Sequence, residues 1–150
     1  MQPVNNLLIS KSTQINATPT KVWQVLTQPE WIRKWILDTE VEVISDWVKG
    51  SPITIRGYLH DDYFENKGII LQAVPEHFLQ YTHLSSLSRL PDTPESYTSI
   101  QFELIPSDNQ TELFLTLTNF PTETIYWHLE FYWNVTLGLI KNLCEEWKRH

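Results

Sequence analysis

The chain has 150 residues, the length of one ordinary globular domain, and its 41% hydrophobic and 19% charged residues exclude a disordered, collagenous or coiled-coil protein. Aromatic residues account for 13% of the sequence and include seven Trp, so many rings have to fill a core, a cavity or an interface. The formal net charge of −7 argues against nucleic acid as a partner, because binding to phosphates depends on clustered cations.

The first third of the chain predicts one strand followed by two short helices. The strand covers residues 7–15. Thr18 then stands before a proline, an order typical of an N-cap and the first helical position. A second helix is predicted to begin near Pro29 and to carry Trp31 and Trp35 at helical spacing.

The middle of the chain changes to the two-residue period of β-strands. From Val41 onward hydrophobic residues alternate with polar ones, and turns rich in Gly, Pro, Asn and Asp recur between the alternating segments. This spacing predicts an antiparallel meander rather than βαβ units. Residues 90–94 (Leu-Pro-Asp-Thr-Pro) form the longest breaker-rich stretch and are predicted to be a surface loop.

A long C-terminal helix is predicted over residues 123–148, which contain no Pro and one Gly. Thr122 is its candidate N-cap. At helical spacing, its apolar face consists of Ile125, Leu129, Tyr132, Thr136, Leu139, Ile140, Leu143 and Trp147. Trp127 and Phe131 fall on the otherwise polar side, so we expect something beyond the sheet to cover them.

Targeting signals are missing from the sequence. The first twenty residues lack a charged region followed by a long apolar run, and 18 consecutive apolar residues occur nowhere. The lone Cys144 cannot form an internal disulfide, which fits a reducing compartment. We therefore predict a soluble, cytoplasmic protein without membrane insertion.

The order of the elements resembles the helix-grip fold of the SRPBCC superfamily, the START-like proteins. Residues 15–19 (Ile-Asn-Ala-Thr-Pro) begin a series that looks like the subfamily named after the activator of heat-shock protein ninety ATPase. The series continues with Val22, Trp23, Leu26, Thr27, Pro29, Glu30, Trp35, Trp47, Gly50, Gly57, Gly68, Ile70, Pro75, residues 79–82, Thr111, Leu113 and Leu115. This resemblance, over residues 7–147, implies one α+β domain spanning residues 1–150. In it, a curved antiparallel sheet of about six or seven strands wraps around the C-terminal helix.

The resemblance also implies a ligand cavity between the concave face of the sheet and the long helix, closed at one end by the two short helices. Strand and helix periodicity then nominates its lining. The candidates are Trp31, Trp35, Leu79, Tyr81, His83, Ile100, Phe102, Leu115, Leu117, Asn119, Tyr132, Thr136 and Leu139.

Plain core packing is the alternative for each of these positions, because protein interiors are normally filled to high density. His83 and Asn119 are the better candidates, since burying either side chain without a hydrogen-bond partner is costly. A structural partner would satisfy them equally well.

No motif in the sequence marks a reaction. Five histidines show no zinc-ligand spacing, and the sequence contains no phosphate loop, dinucleotide fingerprint or nucleophile elbow. Cys144 is interpreted as a buried structural thiol, since a nucleophile would need a neighbouring base. We therefore predict no catalytic residue, no metal and no cofactor.

The function predicted first is binding of a small hydrophobic ligand, lipid-like or aromatic, in the implied cavity. A polyketide cyclase or aromatase is the enzymatic alternative that the fold suggests, with Tyr81, His83 and His60 as groups that orient or protonate a substrate. A cochaperone-like interaction module is the third alternative. The name-giving relatives carry a separate N-terminal domain, and this chain begins almost at its first strand, so that activity is disfavoured.

Trp127 and Phe131 are the candidate interface residues. An exposed apolar ridge of this kind marks an interaction surface, and a homodimer is the commonest soluble assembly. The alternative is that the loop around residues 91–94 folds back over both rings.

Overall fold

The computed structural model describes residues 7–36 and 41–146 and contains a seven-stranded sheet. The strands are β1 (Ile9–Ile15), β2 (Val41–Ser45), β3 (Pro52–Leu59), β4 (Asp62–Val74), β5 (Phe78–Ser85), β6 (Thr98–Ser107) and β7 (Gln110–Thr118). The α-helices are α1 (Pro19–Thr27), α2 (Pro29–Ile36) and α3 (Glu123–Glu146). Two single turns of 3-10 helix, Ser86–Ser88 and Pro94–Ser96, lie between β5 and β6.

The sheet is antiparallel throughout and has the strand order β1-β7-β6-β5-β4-β3-β2. Strands β2 to β7 form the predicted meander, and β1 joins its far edge beside β7. α1 and α2 carry the chain between the two edges. α3 packs against β1, α1 and α2 on the concave side of the curved sheet. The α+β helix-grip fold is therefore confirmed.

Local capping explains where the helices begin. The Thr18 hydroxyl accepts a hydrogen bond from the Lys21 amide at 3.4 Å, and α1 then starts with a proline. At α3 the Thr122 hydroxyl accepts one from the Ile125 amide at 3.1 Å. Both predicted N-caps are confirmed. The predicted end of α3, with Trp147, lies outside the described residues.

A bulge in β4 shapes the middle of the sheet. The β4–β5 register shifts between Ile70 and Gln72, and the Ile69 amide donates to the Thr82 hydroxyl at 2.9 Å. A Cβ atom on Gly68 would lie 1.7 Å from the Thr82 carbonyl oxygen. Only glycine therefore permits this approach of the two strands, which carry much of the concave face.

Two predicted positions of the candidate cavity are wrong. β7 ends at Thr118, and Asn119 adopts a left-handed backbone (φ 64°) at the surface, where its amide donates to the Tyr97 carbonyl at 2.6 Å. The chain turns there to approach α3, and Asn tolerates that conformation. Leu139 is 42% exposed, because the buried stripe of α3 is rotated toward Trp133 and Cys144.

Residues 90–94 form a surface loop as predicted, and the loop lies over the outer face of the sheet. Asp92 pairs with the Lys67 ammonium at 2.6 Å and accepts a hydrogen bond from the Tyr97 hydroxyl at 2.6 Å. Trp127 and Phe131 remain 59% and 72% exposed. The alternative in which this loop covers the two rings is therefore wrong.

Candidate functional site

Several polar side chains interrupt the apolar concave face. We call Asn66, Tyr81, His83, Tyr132 and Trp133 the inner polar cluster. β5 presents Tyr81 and His83 on the same side as the buried Leu79, and β4 presents Asn66 opposite Ser85, next to them. Tyr132 and Trp133 come from α3, which faces the sheet. The cluster thus joins the middle of the meander to the first half of α3.

The cluster contains one buried donor and one buried acceptor without a hydrogen-bond partner. Within the described part of the chain, Trp133 Nε1 and Asn66 Oδ1 are the only buried side-chain polar atoms in this condition. Trp133 as a whole is 3% exposed. Each such atom costs about 1–3 kcal/mol when nothing replaces its lost hydration. In native proteins such groups are usually satisfied by an ordered water molecule or an ion, or have a functional role.

Both tyrosines of the cluster stay protonated at neutral pH. Burial, together with the nearby Tyr132 hydroxyl, raises the pKa of Tyr81 far above its ordinary value. Burial also raises the pKa of Tyr132 to about 12, and its hydroxyl donates to the Ile36 carbonyl at 2.9 Å. Tyr132 therefore also ties α3 to the end of α2.

His83 is a neutral imidazole in the folded chain. Burial, and secondarily the neighbouring His128, lowers the pKa of His83 to about 4. The His128 ring stacks on Tyr132 with 6.5 Å between ring centroids. At neutral pH His83 therefore offers one hydrogen-bond donor and one acceptor, and is poorly suited to donate a proton as an acid.

An aromatic wall adjoins the inner polar cluster. The Trp133 ring centroid lies 6.0 Å from that of Trp35, 5.7 Å from that of Phe102 and 5.2 Å from that of Tyr132. The Trp35 indole nitrogen donates to the Val25 carbonyl at 2.9 Å, unlike that of Trp133. Two neighbouring buried indoles thus have opposite hydrogen-bonding states.

The remaining predicted cavity residues have varied positions. Trp31 is half-buried on the α1–α2 surface, where Lys21 Nζ lies 3.8 Å from its ring centroid. The positions buried on the inner faces of β5, β6, β7 and α3 are Leu79, Ile100, Phe102, Leu115, Leu117 and Thr136. Whether these side chains contact a ligand stays a prediction, since core packing explains their burial equally well.

Open grooves also lie elsewhere on the described part of the molecule. One, of about 570 Å³, lies on the outer face of the sheet beneath the loop that Asp92 anchors, and Asn119 lines it. A second, of about 440 Å³, lies beside β2 and β3 and is bordered by Arg33 and Arg56. Neither is lined by the inner polar cluster. Sequence reasoning missed the first groove, because the position of the loop depends on the long-range pair Lys67–Asp92.

Sequence reasoning also missed Asn66 and the unpaired nitrogen of Trp133. Alternation along β4 places Asn66 on the same side as the buried Phe64, so its inward position was readable from the sequence. The state of the Trp133 nitrogen was not readable. It depends on which carbonyl groups of other elements come within reach.

The described residues contain no cluster of three or more His, Cys, Asp and Glu side chains that could hold a metal ion. Across the same part of the chain, no helix is both long and apolar enough to cross a bilayer. Cys144 is buried, which raises the pKa of its thiol to about 12.

Solved structures show the same architecture. ChR145 from Cytophaga hutchinsonii is 35% identical, with a TM-score of 0.82 over 97% of this chain and 99% of that chain. The Aha1 dimer from Colwellia psychrerythraea is 24% identical, with a TM-score of 0.71 over 93% of this chain and 96% of that chain. DynU16, from the dynemicin biosynthetic locus, is 14% identical, with a TM-score of 0.70 over 92% of this chain and 47% of that chain.

The likeness to the last two structures establishes the fold alone. No curated protein matches the sequence significantly. A family model described as Activator of Hsp90 ATPase homolog 1-like protein matches residues 16–145. Because that match covers most of the sequence, the chain belongs to the family of Activator of Hsp90 ATPase homolog 1-like proteins, of the SRPBCC type.

Proposed function

We propose that the protein binds a small, largely apolar and uncharged molecule between the concave face of the sheet and α3. The observation that carries this proposal is the pair of buried, unpaired polar atoms, Trp133 Nε1 and Asn66 Oδ1. A ligand that accepts a hydrogen bond from the first atom and donates one to the second would remove the cost of both.

The chemistry of the inner polar cluster narrows the ligand class. All five side chains are uncharged at neutral pH, so an ionic ligand would be desolvated without a counter-charge. The wall formed by Trp35, Phe102 and Trp133 favours flat aromatic or lipid-like surfaces. We therefore propose an aromatic or lipid-like molecule carrying a hydroxyl or carbonyl group.

Nile red, a neutral aromatic dye with a carbonyl acceptor, is a suitable probe. We expect saturable binding to the wild-type protein. Trp133→Phe removes the donor but keeps a ring, and should weaken binding about fivefold, the effect of one neutral hydrogen bond of about 1 kcal/mol. Trp127→Phe, the same change on an exposed ring, is the matched control and should bind like wild type. Absence of saturable binding, or equal affinities in both variants, would contradict the proposal.

A cyclase-like enzyme is the second candidate, favoured by the protonated Tyr81 and Tyr132 hydroxyls in the same place. DynU16 comes from a biosynthetic locus, and the fold hosts unrelated activities, so this link is an analogy. In such an enzyme the Tyr81 hydroxyl would orient a substrate oxygen by donating a hydrogen bond, and Tyr132 and neutral His83 would only position the substrate. Tyr81→Phe should then abolish turnover while leaving Nile red binding intact.

Self-association is a third part of the proposal. Trp127 and Phe131 project from α3 into solvent, and the relative from Colwellia psychrerythraea is described as a dimer. A second copy of this chain is therefore proposed as a partner, and stimulation of a chaperone ATPase, the activity in the family name, remains an alternative use of the same surface. The finding of a monomer at all concentrations would remove this part.

A further inference from the structure

The outer face of α3 carries a continuous apolar row that the described residues of the chain leave largely uncovered. Four large side chains spaced by four residues form it, and we call them the α3 ridge: Trp127, Phe131, Val135 and Leu139, which are 59%, 72%, 54% and 42% exposed. Side chains at this spacing form the ridge that interdigitates in the commonest class of helix packing. Three helical turns of exposed apolar surface are unusual for a solvated helix.

A groove of short side chains runs beside the ridge. Asn134, Gly138 and Asn142 form the neighbouring row of the helix, and all three are exposed. A Cβ atom on Gly138 would meet nothing within 4 Å among the described residues, so their packing does not require glycine there. Glycine within a helix nevertheless costs about 1 kcal/mol relative to alanine. The chain thus keeps an open notch next to its largest exposed apolar row.

We infer that two copies of the chain associate through antiparallel α3 helices, with the Phe131 ring of each copy seated over Gly138 of the other. This inference rests on the proposed self-association and assigns its surface and geometry.

The order of residues along the ridge makes it complementary to itself. The aromatic rings lie in the N-terminal half and the smaller Val135 and Leu139 in the C-terminal half. An antiparallel two-fold arrangement therefore sets large side chains against small ones at both ends. Helical side chains also tilt toward their own N-terminus, so each Phe131 ring is directed toward the Gly138 notch of the facing helix.

The charges beside the ridge do not oppose this contact. Glu130 pairs with Lys11 at 2.8 Å, and Lys141 pairs with Glu145 at 2.5 Å, so both are neutralised within the chain. The groove itself consists of two amides and a glycine. Close approach of two copies therefore leaves these charges paired, although each chain carries a net charge of −7.

The size of the ridge sets the strength of association. Its four side chains expose on the order of 400 Å² per copy. That is about half of the roughly 800 Å² that each partner buries in a stable interface. We therefore expect a reversible dimer whose population depends on protein concentration.

Sedimentation equilibrium over a wide concentration range tests the assignment. We expect wild type to dimerise and both Phe131→Glu and Gly138→Leu to remain monomeric at concentrations where wild type is mostly dimer. Gly138→Leu should keep or raise the thermal stability of the monomer, because the added side chain meets open space. Val48→Glu, at a loop residue that is 57% exposed, is the control and should dimerise like wild type.

The outcomes separate self-association from its geometry. A monomeric wild type would overturn both. A wild-type dimer that survives Phe131→Glu would overturn the ridge as its surface while leaving self-association intact. If Phe131→Glu is monomeric but Gly138→Leu still dimerises, the seating over the notch is overturned.

Cysteine crosslinking tests the antiparallel orientation. With the two-fold axis near the middle of the ridge, the two Phe131→Cys thiols of a dimer lie roughly 6 Å apart along the helices at 1.5 Å per residue. The two Gly138→Cys thiols lie roughly 15 Å apart. Neither variant should therefore oxidise to a dimer alone, whereas their mixture should give a mixed disulfide. The native Cys144 thiol is buried and stays unreactive. Crosslinking of either variant alone, with none between the two, would overturn the antiparallel arrangement.

Discussion

The two faces of α3 break the usual rule of burial in opposite ways. On the inner face, the indole nitrogen of Trp133 is buried without a hydrogen-bond partner among the described residues, as is the amide oxygen of Asn66 on β4. On the outer face, Trp127 and Phe131 keep large apolar rings in water. Buried polar atoms without hydrogen bonds favour a ligand that supplies polar atoms. Exposed apolar rings favour a partner chain whose surface covers them. One helix therefore carries evidence for two different kinds of partner.

Removing one ring from each face of α3 tests whether the two faces differ in their contribution to stability. Trp133→Ala should lower the free energy of unfolding by about 3–5 kcal/mol, because it opens a cavity beside Trp35 and Phe102. Trp127→Ala, the same change on the outer face, should alter it by less than about 0.5 kcal/mol when measured on dilute, monomeric protein. Urea unfolding gives both values. Equal losses would mean that the two faces are not distinct.

Two glycines allow the next comparison. Gly68→Ala should lower the free energy of unfolding by about 3 kcal/mol, because the new Cβ would meet the Thr82 carbonyl at 1.7 Å and distort the strands that carry the inner polar cluster. Gly138→Ala should raise it by up to about 1 kcal/mol, because the site is open and alanine favours a helix. Urea unfolding of both variants against wild type measures the contrast. A destabilised Gly138→Ala monomer would show that intramolecular packing does use the notch.

The smallest expected effect is a pH dependence on the inner face alone. The His83 pKa is about 4 in the folded chain against an ordinary value of 6.5. As the pH falls from 6.5 to 4, the unfolded chain binds a proton that the folded chain does not bind, so stability falls across this window. This loss should be on the order of 2 kcal/mol. Below pH 4 both states are protonated, and the loss stops growing.

Urea unfolding of wild type and His83→Gln between pH 4 and pH 8 isolates this effect. The variant should lack this part of the pH dependence, because glutamine does not titrate. His77→Gln, at an exposed histidine, is the matched control and should follow wild type. Parallel curves for wild type and His83→Gln would show that the folded chain does not lower the pKa of His83.

Much of the architecture was readable from local signals. Thr18 and Thr122 cap α1 and α3 where the sequence predicts, because side-chain capping involves residues within one turn. The strands of the meander follow from two-residue alternation, and alternation also places Tyr81 and His83 on the inner side. The exposed Trp127 and Phe131 are predictable for the same reason, since helical spacing alone puts them among polar residues.

The sequence-based predictions are wrong where the burial of a residue depends on other elements as well as its own. Asn119 follows the alternation of β7, but the strand ends one residue earlier and the chain turns. Leu139 lies on the apolar stripe of an isolated helix, yet the rotation of α3 against the sheet leaves it in solvent. In both cases the periodicity is predicted correctly, but the packing of neighbouring elements determines which side chains are buried.

Short-range periodicity and capping are enough to predict the order of the elements and the inward candidates on β5, and the resemblance that this order carries implies the helix-grip fold. Three further features appear only in the folded chain. The unpaired Trp133 nitrogen, the approach at Gly68 and the open notch at Gly138 depend on distances between atoms far apart in the chain. Hydrogen bonds and steric contacts act over a few ångströms, so they become visible only when folding has brought these residues together.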